Sequence, residues 1–266
     1  MELKNFVIDR VLRGIMLHSS TGEALWSINQ IEDPQLSVSS ETTDAVDALG
    51  IPIMSFDRAK NAEFSASNSL LDLGLLAAQS GTSIDASSAD STFPVPCFEE
   101  VTYAGSTITL SHTPSATGAD GIPFIYKLNG DGTLGTKYAY AAAAAADKFS
   151  FSGTTLTVPT GSTTGDMFLV IYEYTANGTD EAVSVTNSAS NFPKAGKFVM
   201  EILGCDVCDI STKYYAYLIF PQAKLTSDFD LSFATDSNHP FTIKAMQEYC
   251  DHEKKLFQLV IPEGDV

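Results

Sequence analysis

The 266-residue chain is poor in basic residues and cysteine, has a single tryptophan and carries no long apolar run, and each shortage closes off a class of function. Only 15 Lys and Arg stand against 33 Asp and Glu, a net charge of −18 at neutral pH. Stable nucleic-acid binding needs cations that replace the counterions of the phosphate backbone, so this balance argues against it and favours passage of a polyanion without adhesion. Four cysteines, Cys97, Cys205, Cys208 and Cys250, are too sparse for a disulfide scaffold. No segment approaches the roughly 18 consecutive apolar residues of a membrane span, so no membrane partner is expected. The start, Met1-Glu-Leu-Lys-Asn5 and then Asp9, Arg10 and Arg13, lacks an apolar export core, which predicts a protein made in the cytosol. Neither Gly-x-Gly-x-x-Gly nor Gly-x-x-x-x-Gly-Lys-Ser/Thr occurs, so no nucleotide cofactor is expected. The histidines, His18, His112, His239 and His252, are scattered and none adjoins a Gly-x-Ser-x-Gly elbow; acidic pairs such as Glu99-Glu100 arise by chance among 33 acids. No catalytic residues are assigned.

What is present is strand signal. Short runs rich in β-branched and aromatic residues recur at Phe6 to Ile8, Leu36 to Val38, Thr107 to Leu110, Phe124 to Tyr126, Leu156 to Val158, Phe168 to Tyr172 and Tyr214 to Phe220. Asn129-Gly-Asp-Gly132 and Asn177-Gly178 supply turn chemistry between them; Asn177-Gly-Thr179 is formally a glycosylation sequon but reads more simply as a hairpin turn. One leucine-rich helix is predicted over Asn68 to Ser80, with Ser67 as N-cap and Gly81 as stop. The alanines of Ala139 to Ala146 form either a short helix or a loop. A Ser/Thr/Ala/Asp-rich stretch, Gly81 to Pro96, and the sequence Asn-Ser-Ala-Ser-Asn-Phe-Pro over Asn187 to Pro193 read as linkers. They predict an outer β domain in two parts, residues 1–96 and 189–266, interrupted by a β module over 97–188 of a size that suits an immunoglobulin-like sandwich. The alternative is one continuous sandwich.

Four outer segments alternate with period two, the mark of a sheet with one buried and one wetted face. Leu36 and Val38 oppose Ser37, Ser39 and Glu41; Ala62, Phe64 and Ala66 oppose Glu63 and Ser65; Leu225, Phe229, Leu231 and Phe233 oppose Asp228 and Asp230; Phe241 and Ile243 oppose Thr242 and Lys244. The wetted side is hydroxylic and acidic, with Lys244 the exception. It is either an ordinary solvated face or the wall of a pore.

Asn5-Phe-Val-Ile-Asp-Arg10, Gly22-Glu-Ala-Leu-Trp26, Leu36 to Glu41, Thr43-Asp-Ala-Val-Asp-Ala-Leu-Gly50, Phe56-Asp-Arg-Ala-Lys60 and the leucine-rich helix resemble, in order, the front half of the tail tube proteins of long-tailed bacteriophages of the siphophage type. Phe192-Pro-Lys194, Tyr214 to Phe220 running into Pro-Gln-Ala-Lys224, and Glu248-Tyr-Cys-Asp-His252 resemble the back half. The resemblance covers roughly residues 1–95 and 190–266. It implies a mainly-β, tail-tube-type sandwich or barrel with one flanking helix, non-enzymatic, whose copies close into hexameric rings that stack around a DNA-conducting lumen. On that mapping Ser37, Ser39, Glu41, Glu63, Asp228 and Asp230 face the lumen. The loop from Thr42 to Arg58, with Asp44, Asp47, Ile51, Ile53, Phe56 and Arg58, reaches the next ring. Partners would be further copies of the chain, tape measure and terminator proteins, and DNA in transit, all in a virion tail assembled in the host cytoplasm. An immunoglobulin-like insert would decorate the outside. A protein that binds a surface or decorates a capsid through that module is the alternative.

Cys205-Asp-Val-Cys208 has the spacing of half a zinc site, which Cys250 and His252 could complete. Their spacing is not diagnostic, so buried or incidental thiols remain the other reading.

Overall fold

A computed structural model of the chain describes residues 5–179, 181–235, 238–247 and 254–262. Along the chain come β1 (Phe6–Leu17), β2 (Ala24–Ile28), β3 (Ile31–Val46), β4 (Pro52–Asn68) and α1 (Leu73–Ser80). Then follow β5 (Asp85–Ala86), β6 (Phe93–Thr102), β7 (Ile108–Thr109), β8 (Phe124–Leu128), β9 (Leu134–Tyr140), β10 (Lys148–Ser152), β11 (Thr155–Thr157), β12 (Met167–Ala176) and β13 (Val183–Ser184). The last are β14 (Ala195–Asp206), β15 (Asp209–Leu225), β16 (His239–Ala245) and β17 (Gln258–Val260). The protein is mainly β. It divides into two compact units, Met1–Ile84 with Val185–Val266, and Asp85–Ser184.

The first unit is one antiparallel sheet in the order β2-β1-β14-β15-β16-β4-β3, with β17 on β15. It curls until β1 approaches β3, a nearly closed barrel. Alternation explains the interior: Phe198, Met200 and Ile202 of β14 and Ala216, Leu218 and Phe220 of β15 point to one side and are buried. At the centre the rings of Trp26, Phe64, Phe198, Phe220 and Phe241 pack with centroids 5.7–6.4 Å apart, the offset and edge contacts that aromatic quadrupoles favour.

Helix α1 packs on β2 with Leu75 in the barrel core and is shorter than the leucine pattern predicts. Asp72, not Ser67, is the N-cap, its carboxylate accepting from the Leu75 N–H at 2.8 Å. Ser67 and Asn68 stay in β4, whose ladder to β16 runs to Asn68 and so outcompetes helix over the first residues. The stop is as expected: Gly81 sits at φ 69°, and Thr82 N–H reaches the Ala77 carbonyl at 2.9 Å.

The second unit strings seven strands in the order β6-β12-β8-β9-β10-β11-β7, plus the β5–β13 pair. Ile108 and Leu156 from one end of that path meet Phe168 and Val170 from the other in a single core, so the sheet folds over on itself. One linker expectation is corrected here, and of the two readings of the alanine run the helical one falls away. Phe93-Pro-Val-Pro96 is strand, not linker; Pro94 and Pro96 are tolerated because β6 is an edge that bonds only to β12. The alanine run is not helical: Tyr140 ends β9, and Ala141 N–H donates to the Phe149 carbonyl at 2.8 Å, turning the chain into β10. Burial of Phe149 against Tyr140, centroids 5.9 Å apart, outweighs the weak helix preference of so short a run. Asn177-Gly178 does turn the chain, with the Glu181 carboxylate accepting from both N–H groups, but β12 and β13 on either side do not pair with each other.

Candidate assembly surface

Residues Thr42 to Arg58 are not a loop. β3 and β4 remain paired from Ile31↔Asn68 out to Val46↔Pro52, and only residues 47–51 turn. The turn is closed by its own chemistry: Asp47 Oδ1 accepts from the N–H groups of Leu49 (2.8 Å) and Ile51 (2.9 Å), and Gly50 supplies φ 83°. On the arm below, Ser55 Oγ donates to the Asp44 carboxylate across the ladder. Such pairing needs only alternating local hydrogen bonds, which a composition rich in Asp, Ala and Gly conceals.

This arm is unpartnered in two senses. β16 pairs with β4 only over Glu63–Asn68, and β3 pairs with β4 alone, so beyond Ala62 both edges of the ribbon offer free backbone groups among the described residues. Both of its faces are exposed too, and they carry Val46, Leu49, Ile51, Ile53, Met54 and Phe56, Leu49 being 85% accessible. A two-stranded ribbon is marginal by itself in water. Full burial of a large apolar side chain is worth about 1.5–3 kcal/mol, and each of these forgoes a part of that while uncovered.

Where the arm joins the barrel, the register sorts side chains into two cross-strand rows. Leu36, Phe64, Ile243 and Leu225 lie opposite one another on the core side. Ser37, Glu63, Lys244 and Lys224 form the neighbouring row on the outer side, flanked by Ser39 opposite Asn61. Lys244 Nζ stands 3.4 Å from the Glu63 carboxylate. Glu41 lies directly opposite Arg58, where a register shift leaves Ala59 unmatched. The wetted face is therefore mixed in charge. Only Lys244 of these cations stood out from the alternation; Lys224 was legible as the residue before Leu225.

Asp228 and Asp230 are exposed but on no strand, contrary to the alternation over Leu225 to Phe233. β15 ends at Leu225, where Thr226 N–H still donates to the Thr242 carbonyl at 2.9 Å, and the Thr226 hydroxyl then bonds the Asp228 carbonyl at 3.3 Å and bends the chain away. Asp228 nevertheless shares a shallow depression of about 320 Å³ with Lys224 and Lys244, beside the polar row.

The half zinc motif is split by burial: Cys205 is buried beside β1 and Cys208 is exposed in the turn after β14. Cys250 and His252 lie outside the described residues. Among those described, no three His, Cys, Asp or Glu side chains are grouped to hold a metal, and no helix is long and apolar enough to cross a membrane.

A barrel that sends out a long uncovered ribbon offers open strand edges and apolar side chains to other chains. The chain belongs to the YomU/Tube protein family, whose model matches residues 6–258. That membership supports a phage tube-type structural protein and spans both units. No curated protein sequence matches the chain.

Proposed function

We propose that this protein is the repeating subunit of a phage tail tube, closing into hexameric rings that stack around a lumen through which DNA passes. The observation that carries this reading is the β3–β4 arm, with two open edges and two apolar faces. Open edges accept strands from a neighbouring copy, and a head-to-tail contact of this kind propagates into rings or filaments. In the assembled tube the outer row of Ser37, Ser39, Glu41 and Glu63 faces the lumen, with Asp228 and Asp230 at its margin. The row is hydrophilic, its Lys244 stands against the Glu63 carboxylate and Lys224 Nζ lies 6.0 Å from the Phe192 ring centroid, so few of its cations are left free for phosphate. The tip, from Asp44 and Asp47 through Ile51 and Ile53 to Phe56 and Arg58, reaches the next ring. Tape measure and terminator proteins would meet the ends of such a tube in the virion tail. The Asp85–Ser184 unit is read as an immunoglobulin-like module inserted into the tube domain.

Light scattering against concentration, with negative-stain microscopy, tests the proposal. Wild-type protein is expected to polymerise into hollow tubes. A triple variant, Leu49→Ser, Ile51→Ser and Ile53→Ser, should keep the circular dichroism of the monomer and stop ring stacking. A wild-type protein that stays monomeric at millimolar concentration and fails to join tails would refute tube function.

A further inference from the structure

His239, the first residue of β16, is fully buried in the first unit and tied to α1 by side-chain and backbone bonds. Its Nε2 lies 2.7 Å from Oε1 of Gln79, and the amide of Gln79 is oriented by donating from its own Nε2 to the Pro240 carbonyl at 2.9 Å. With that orientation Oε1 is an acceptor, so the imidazole proton sits on Nε2. Nδ1 is then the lone-pair nitrogen, and it accepts from the backbone N–H of Asp72, the N-cap of α1, at 3.4 Å. Both ring nitrogens are thus satisfied in one neutral tautomer, and the two ends of α1, Asp72 and Gln79, hang on a single imidazole.

We propose that His239 is an acid-sensitive latch, holding α1 on the barrel while neutral and releasing it as the medium acidifies. A second proton could only go on Nδ1, where it would point at the Asp72 N–H, a donor facing a donor in a buried site. Asp72 is the charged group that faces the ring among the described residues, and its carboxylate favours the imidazolium, yet that carboxylate is engaged in capping Leu75. The other neighbours are neutral: Gln79 from α1, Asn68 opposite His239 on β4, and the Phe229 ring with its centroid 6.4 Å away. Burial outweighs Asp72 and holds the imidazole below its ordinary value of 6.5. The seated state therefore resists the proton and the released state takes it at the ordinary value. Below pH 6.5 the ratio of released to seated helix rises by up to tenfold per pH unit, levelling off once the seated histidine also titrates. The seat is already strained by Ser80 Oγ and Asn68 Oδ1, both buried without a hydrogen-bond partner among the described residues.

Trp26, the only tryptophan, lies beside α1, lining with Gly74, Ala77 and Ala78 a crevice of about 430 Å³, and so reports seating of the helix. Its emission and the hydrogen exchange of the α1 amides are followed in the full chain from pH 8 to pH 5. Wild type is expected to show red-shifted emission and α1 protection factors, taken against the intrinsic exchange rate at each pH, that fall by up to tenfold per unit below 6.5. His239→Gln, which keeps a donor toward Gln79 but cannot titrate, is expected to be flat in emission and protection, and Asp72→Asn, which keeps the cap but removes the carboxylate that favours the seated imidazolium, to release the helix more at each pH below 6.5 and to level off at lower pH. An acid response in His239→Gln equal to that of wild type, or a flat wild type, overturns the latch. Should His239→Gln fail to fold, imidazole NMR on wild type decides: titration of His239 while the α1 amides stay protected overturns the proposal, and titration together with their loss upholds it.

Discussion

Replacing Phe64 by alanine and, separately, Phe168 by alanine asks whether the two compact units unfold independently. Both rings are essentially inaccessible, one at the centre of the barrel core and the other in the core of the second unit. A buried aromatic removes about 150–250 Å² from water, worth roughly 4–6 kcal/mol at about 25 cal/mol per Å² as an upper figure. Measured Phe→Ala losses of about 3–5 kcal/mol, cavity included, agree. Phe64 touches Phe198, Phe220 and Phe241, with centroids at 5.7, 6.4 and 6.1 Å, so little can collapse into the void and the upper half of that range is expected. Trp26 stacks on Phe198 in the same core, so tryptophan fluorescence reads the first unit alone, while far-ultraviolet circular dichroism reads both. In urea, with a slope of about 1–3 kcal/mol per molar, Phe64→Ala should move the fluorescence midpoint down by at least about 1 M. Phe168→Ala should leave that midpoint unchanged and shift only a component of the circular dichroism. If Phe168→Ala displaced the Trp26 transition as far as Phe64→Ala does, the units would be one cooperative body and the division into two would be refuted.

Gly204→Ala should destabilise the β1–β14 pairing by about 1–3 kcal/mol, as overpacking does, because the added methyl would collide with the Phe6 ring and the Val7 carbonyl; thermal unfolding of the variant followed by Trp26 measures it. In the second unit, the Lys127 ammonium 2.8 Å from Asp166 and the Thr163 N–H hold the Asp166 carboxyl below its ordinary 3.8. A depressed carboxylate contributes stability that is complete above 3.8 and is lost as pH falls through the lower folded value. Lys127→Met should therefore move the Asp166 carbon resonance titration back toward 3.8, and an unmoved titration would show that the ion pair is not what lowers it.

Period two, turn residues and composition were enough to read the protein as mainly β, because alternation is imposed by the pleat and survives whatever the strands pack against. That Leu36, Phe64, Ile243 and Leu225 each take the apolar face of their own strand was legible for that reason. The errors share one cause. Whether Ser67 and Asn68 begin a helix or finish a strand, whether Asp228 follows the ladder, and whether Thr42 to Arg58 is loop or ribbon depend on which neighbour supplies backbone hydrogen bonds, and a single segment does not contain that neighbour. The His239–Gln79 contact joins residues 160 apart in the chain, and no local pattern marks it. By itself the sequence determined the strand character, the acid excess and the turn at Gly81, since these follow from side-chain sterics and charge. Tertiary structure alone decided the register that sets Lys244 against Glu63 and Arg58 against Glu41, and the point at Ala62 beyond which the arm leaves its last neighbour, because register is fixed by the competition of whole strands for one buried face.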